Sequence, residues 1–182
     1  MTTYIALLRG INVSGQKSIR MPELQDSFSS LGFTDVRTYL QSGNVVFRTE
    51  KKSDEGELST VISARIKHDF GHVVSVIVIS ANELAHIINS NPLGPIAGGD
   101  EKLFHSTFLS EPVSVASFKA LKLPAVEGER AVLVGKTVLL HCPHGYGNTK
   151  LNNSYFERAL GVSATTRNWR TVLALQKLCS EP

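Results

Sequence analysis

The stretch Val73 to Ile79 is a run of β-branched residues interrupted only by Ser75. A run with no apolar/polar alternation predicts a strand buried on both faces. It is also far shorter than the roughly 20 apolar residues that a membrane helix needs.

The elements around this run follow a definite order. Tyr4 to Arg9 is a β-rich apolar segment. A helix is predicted from Pro22 to Leu31, with Leu24, Phe28 and Leu31 on one face and Gly32 as its stop. Val36 to Leu40 and Asn44 to Arg48 read as strands meeting at a Ser42-Gly43 turn. Glu57 to Phe70 carries Leu58, Val61, Ile62 and Ile66 at helical spacing and ends at Gly71. With the Val73 to Ile79 strand, the order is β-α-β-β-α-β, that of a ferredoxin-like plait. A helix over Asn82 to Ile88 follows, then a linker from Asn91-Pro92 through Gly98-Gly99.

The second half repeats the order without repeating the residues. Leu103 to Leu109 is a strand, Val115 to Leu121 a helix, and Ala131 to Val134 and Thr137 to Leu140 are strands joined across Gly135-Lys136. Asn152 to Leu160 is a helix stopped by Gly161, Val162 to Thr166 a strand, and Trp169 to Cys179 a last helix. The expected fold is α+β: two tandem ferredoxin-like (βαββαβ) plaits, residues 1–91 and 100–182, the second with a C-terminal helix.

The 182 residues, 42% of them hydrophobic, suffice for one domain or two small ones. The start, Met1 to Arg9, has no basic segment before its apolar stretch and no A-x-A site after it, so it reads as a strand and not a signal peptide. Cys142 and Cys179 have no framework spacing and are expected to be reduced thiols in a cytoplasmic protein.

Right-handed crossovers make strands 1 and 2 of a plait parallel, and likewise strands 3 and 4. In the first half, one sheet edge therefore gathers Arg9, Asn12, Ser14, Gly15, Lys17, Gln41, Ser42, Gly43 and Asn44. In the second half, the opposite edge brings Pro143 to Lys150 beside Arg167, Asn168, Trp169 and Arg170. Whether these form one site depends on the halves packing edge to edge.

The second edge is the stronger anion candidate by charge. From Gly135 onward there are six basic residues (Lys136, Lys150, Arg158, Arg167, Arg170, Lys177) against two acidic ones (Glu157, Glu181). Gly145 to Lys150 leads into a helix, placing Lys150 in its first turn, where only an anion would offset the dipole. Arg167 and Arg170 offer bidentate donors, and Asn153 and Asn168 hydrogen bonds. The plain readings are a glycine-rich turn, a hairpin turn at Ser42 and Asn44, loop-structuring roles for Arg9 and Asn12, and core packing for Trp169.

Other chemistry finds little support. His141-Cys142-Pro143-His144 lacks the remaining ligands of a zinc site, so no metal is expected. Cys142 and His141 point to opposite faces of a strand. No dinucleotide fingerprint is present, and no cofactor is expected. Glu157 is the only acid near the basic motifs, a weak candidate for a general base and otherwise a surface ion-pair partner for Arg158 or Arg167.

Several stretches together resemble one family. They are Tyr4 to Val13, Met21, Leu31 to Tyr39, Gln41 to Phe47, Asn91-Pro92, and Gly147 to Arg170 with Lys150-Leu151, Phe156-Glu157-Arg158, Leu160-Gly161 and Ala164 to Arg170. The combination is similar to the uncharacterised bacterial proteins of domain of unknown function 1697 over nearly the whole chain. The resemblance implies a tandem of α/β plaits and no activity. His141, Cys142 and His144 stand outside its pattern.

The leading expectation is a protein that binds a phosphorylated small molecule or nucleotide through Arg9, Asn12, Ser42, Asn44, Lys150, Asn153, Arg167, Asn168, Trp169 and Arg170. An enzyme acting on such a metabolite at the same site is the alternative. Single-stranded nucleic-acid binding ranks lower, since Gly43 to Arg48 lacks the aromatic pattern of an RNA-binding strand. A purely structural role for the motifs is the fourth reading, and extensive hydrogen bonding between motifs would favour it. No membrane partner is expected, and oligomeric state is open.

Overall fold

The computed structural model describes residues 1–50, 53–94, 100–124 and 126–181. Among these the chain is mixed α+β, with two four-stranded antiparallel sheets and six α-helices. Backbone contacts divide it into two compact units, Met1–Glu83 with Leu175–Pro182, and Leu84–Ala174. Residues 95–99 of the expected linker lie outside the described residues.

The first unit runs β1 (Thr2–Leu8), α1 (Met21–Ser29), β2 (Thr34–Tyr39), β3 (Asn44–Thr49), α2 (Glu55–Phe70) and β4 (Val76–Ser80). Its sheet order is β2-β3-β1-β4, with every neighbouring pair antiparallel. Ala6 and Leu8 of β1, Val45 and Phe47 of β3, and Val76 and Val78 of β4 form one face, since alternate residues share a face. Leu24 and Phe28 of α1 and Leu58, Ile62 and Ile66 of α2 pack with that face. Phe33 stacks on Phe47 with ring centroids 4.5 Å apart, and Phe28 meets Phe47 edge-on at 5.5 Å.

Two expectations change here. The α2 stripe is the narrow i, i+4 row Leu58, Ile62, Ile66, and Val61 beside it is exposed. The apolar run forms its strand only from Val76; that strand lies at the sheet edge, and Val76 to Ile79 are buried on both faces as the run predicts.

The edge is covered by side chains from α2. Glu55, Ser59 and Ser63 stand four residues apart, on one face of the helix. The Ser80 amide donates to the Glu55 carboxylate at 2.7 Å, the Val78 amide donates to Ser59 Oγ at 3.2 Å, and Ser63 Oγ donates to the Val74 carbonyl at 2.6 Å. A helical step of four residues rises about 6 Å and a strand step of two about 6.6 Å, so the two rows stay in register. The outward backbone groups of an apolar edge strand are thereby occupied and closed to pairing with another chain. The helix itself starts at a capping box between Asp54 and Glu57 and ends at left-handed Gly71.

The second unit runs β5 (Phe104–Leu109), α4 (Val115–Lys119), β6 (Arg130–Val134), β7 (Thr137–His141), α5 (Asn153–Leu160) and β8 (Ala164–Asn168), in sheet order β6-β7-β5-β8. Leu109, Phe118, Val138, Leu140, Leu151, Phe156 and Ala164 form its helix-side core. The helices α3 (Ala81–Asn89) and α6 (Trp169–Ser180) each follow a fourth strand directly.

The two units repeat at the level of single hydrogen bonds. Leu8 and Arg9, at the exit of β1, donate to the carbonyls of Gly43 and Ser75; Leu109 and Ser110, at the exit of β5, donate to those of Lys136 and Ser163. Ser80 Oγ accepts from the Glu83 amide at the start of α3, and Asn168 Oδ1 from the Thr171 amide at the start of α6. The expected placement of Lys150 is corrected: α5 begins at Asn153, capped by the Asn152 side chain on the Tyr155 amide, so Lys150 precedes the first turn. Asparagine at the cap satisfies a donor that an anion would otherwise meet.

Candidate functional site

One connection breaks the repeat. Between the first strand and first helix the second unit uses residues 110–114, and the first unit uses residues 9–20. The longer loop has an unusual backbone: Gly10, Asn12, Ser14, Gly15 and Lys17 all have positive φ, between 45° and 75°. For serine and lysine this region is disfavoured, and such residues persist only where the surroundings over-determine them.

Asn12 is the centre of that determination. Its Nδ2 donates to the Ile19 carbonyl at 2.9 Å and to the Gln41 carbonyl at 2.8 Å, while its Oδ1 accepts from the Ile19 amide at 2.8 Å. Lys17 Nζ donates to the Val73 carbonyl at 2.7 Å, and His72 Nε2 lies 3.3 Å from the Ser18 carbonyl. The loop is thus held at its base by the hairpin tip and along its side by the segment before β4.

The topology places Gln41 to Asn44 beside this loop, as the sheet edge requires. Asn44 is fully buried, and its Nδ2 donates to the Tyr39 carbonyl at 2.8 Å and to Ser42 Oγ at 3.1 Å. Gly43 has φ +81°, and a Cβ there would lie 2.7 Å from the Leu8 Cβ and 2.9 Å from the Ile11 Cδ1. Glycine is needed at that point because the hairpin backbone presses directly on β1.

Arg9 and Lys17 face a shallow hollow of about 420 Å³, which they line with Gly10, Val73 and Ser75. Among the described residues no carboxylate lines it.

In the second unit the predicted residues are gathered in part. Thr166 Oγ1 donates to Asn153 Oδ1 at 2.6 Å and lies 2.8 Å from Thr107 Oγ1, joining β5, β8 and α5. Arg167 donates to Thr165 Oγ1 at 2.9 Å and to the Thr166 carbonyl at 3.0 Å, and burial pushes its guanidinium down to about 10. Asn168 caps α6, Trp169 is buried at 4% exposure, and Lys150 and Arg170 are exposed. Glu157 accepts from the Ala164 amide at 3.1 Å, a bond that ties α5 to β8. The Thr149 hydroxyl accepts from the Leu151 amide at 3.0 Å.

Around His141 to His144 the side chains pack. The His141 ring stacks on Phe104 at 4.7 Å, and His144 Nε2 lies 3.1 Å from the Glu127 carbonyl. Cys142 is buried, and burial pushes its thiol up to about 11, with the Glu129 charge adding to the shift. A thiol so held is a poor nucleophile at neutral pH. Among the described residues no three His, Cys, Asp or Glu side chains are placed to hold a metal ion, and no helix is long and apolar enough to cross a membrane.

Sequence reasoning put Lys17 on the first edge without giving it a role, and it missed Val73 and Ser75. The only available signal was the length of the 9–20 connection against its counterpart.

Known proteins place the chain more firmly than they explain it. The profile of a family described as protein of unknown function (DUF1697) matches residues 1–139. The Gly147 to Arg170 motifs lie beyond that match. A solved structure of a conserved bacterial protein from Streptococcus pneumoniae is similar at 22% identity and a TM-score of 0.74, over 98% of this chain and 99% of that one. That likeness carries the fold alone. No curated protein matches.

Proposed function

The chain belongs to the DUF1697 family of proteins of unknown function, a premise that fixes no activity, and we propose that it binds a phosphorylated small molecule in the hollow lined by Arg9 and Lys17. We take each unit as a ferredoxin-like plait, a reading supported by the element order and by the sheet order.

One observation carries the function: a duplicated scaffold in which only the first copy has the extended, positive-φ connection of residues 9–20. Loops held on a rigid scaffold are where binding residues concentrate, and stored backbone strain points the same way. Arginine supplies planar paired donors for a phosphate and lysine a point charge. The asparagines Asn12, Asn44, Asn153 and Asn168 bond within their own units, which favours a structural role for them. Lys150 and Arg170, both exposed, are the cations that a competing anion site in the second unit would use, and an enzyme using Glu157 draws no support from a carboxylate engaged with Ala164.

The test is titration with inorganic phosphate, up to about 10 mM since a shallow site implies weak affinity, followed by backbone amide shifts. Arg9→Ala with Lys17→Ala is expected to abolish shifts in residues 9–20, and Lys150→Ala with Arg170→Ala to leave them. The reverse result moves the site to the second unit. No response in the unsubstituted protein refutes the reading.

A further inference from the structure

We propose that the ligand is a phosphorylated polyol of the sugar-phosphate class rather than a nucleotide; this rests on the anion-binding reading above and names the ligand for it.

A second hollow, of about 360 Å³, adjoins the first. It is lined by Ser59, Thr60, Ser63, Ala64 and Lys67 of α2 and by Val73, Ser75 and Val76. Val73 and Ser75 line both hollows, so the two form one groove from Arg9 and Lys17 along the outside of α2 to Lys67.

The hydroxyl protons on the α2 wall are already engaged. Ser59 Oγ donates to the Glu55 carbonyl at 2.8 Å, Thr60 Oγ1 to that of Gly56 at 2.9 Å, and Ser63 Oγ to that of Val74 at 2.6 Å. A hydroxyl has one proton and two lone pairs. Thr60 and Ser63 therefore offer the groove acceptors and no donors, and a matching ligand brings its own hydroxyl protons. Arg9 and Lys17 at one end and Lys67 at the other call for negative charge.

A nucleotide would need a different wall. Base recognition draws on an aromatic or guanidinium plane to stack against; among the described residues no aromatic lines either hollow, and the one guanidinium, that of Arg9, stands at the end assigned to the phosphate. The α2 wall sets the hydroxyls of Thr60 and Ser63 on small side chains, which suits a polyol.

The experiment compares inorganic phosphate, glucose 6-phosphate and adenosine 5′-monophosphate on the full chain by calorimetry or amide shifts. Glucose 6-phosphate is expected to bind about 5- to 10-fold tighter than phosphate, the gain from one or two added hydrogen bonds. Thr60→Val with Ser63→Ala is expected to remove that gain and leave phosphate affinity unchanged, while Lys17→Ala weakens both. Should glucose 6-phosphate bind no tighter than phosphate, or adenosine monophosphate bind tightest, the polyol assignment is wrong and the anion site stands. If none of the three binds, both proposals fall.

Discussion

The Asn12 side-chain amide donates to the Gln41 carbonyl at 2.8 Å, and this single residue joins the exit loop of β1 to the tip of the β2–β3 hairpin. Its remaining bonds, both to Ile19, close the loop on itself. Asn12→Ala removes all three and puts alanine at φ 54°. Each net hydrogen bond contributes about 1 kcal/mol, and a left-handed non-glycine residue about 1 kcal/mol of strain. A loss of about 2–4 kcal/mol in urea denaturation is expected. Asn12→Gly should recover only the strain. A loss below about 0.5 kcal/mol for the alanine variant would show that water replaces the network.

Gly43→Ala tests the other side of this junction. The added Cβ meets the Leu8 Cβ at 2.7 Å and the Ile11 side chain at 2.9 Å (Cδ1) and 3.0 Å (Cγ1), at a φ of +81°. The Ile11 methyl can swing aside, but the Leu8 Cβ is fixed to the backbone of β1, so the hairpin must shift. A fall of about 2–4 kcal/mol in unfolding free energy is expected. Gly10→Ala, which meets nothing within 4 Å at a similar φ of +68°, should lose only the strain and serves as its control.

How much of this was legible before the structure depends on the range of the interaction. Element order followed from local patterning, because amphipathic faces such as Leu58, Ile62 and Ile66 are set by spacing alone. Bringing Arg9 and Asn12 beside Ser42 and Asn44 needed only the handedness of the crossovers. What patterning could not convey was the use of each polar group. Asn153 and Lys150 look equally available in sequence, yet one bonds Thr166 and the other is exposed. Nor could it show how the edge of a strand as apolar as Val76 to Ile79 is covered, since the cover comes from three polar residues of a helix.

Asp69 gives a pH signature for the α1–α2 contact. Its carboxylate is held down at about 2, chiefly by His68, and further by Ser27 and Arg65. Ser27 Oγ of α1 donates to it at 2.7 Å, as does Arg65 Nε of α2. The folded value lies below the unfolded one of 3.8, so the unfolded chain takes up the proton first. The stabilisation is therefore present above about pH 4 and lost as pH falls through about 2. At this partly hydrated position solvent screening limits it to about 1 kcal/mol. Asp69→Asn should flatten the stability profile between pH 4 and 2 by that amount. An unchanged slope would assign the acid sensitivity to other carboxylates.

The cover over β4 predicts a local effect that separates it from general stability. The amides of Val78 and Ser80 point away from β1, toward Ser59 and Glu55, and by the alternation of an antiparallel pair those of Ile77 and Ile79 point into the sheet. Replacing Glu55 and Ser59 together by alanine removes the outer partners and leaves the ladder to β1 intact. Hydrogen exchange at Val78 and Ser80 is expected to accelerate about tenfold or more while Ile77 and Ile79 keep their rates. A uniform acceleration of all four would mean that the substitutions weaken the whole sheet and that the helix side chains do not guard the edge individually. With the edge uncovered, the apolar strand also becomes a template for another chain, so light scattering should rise with concentration in the variant and not in the parent.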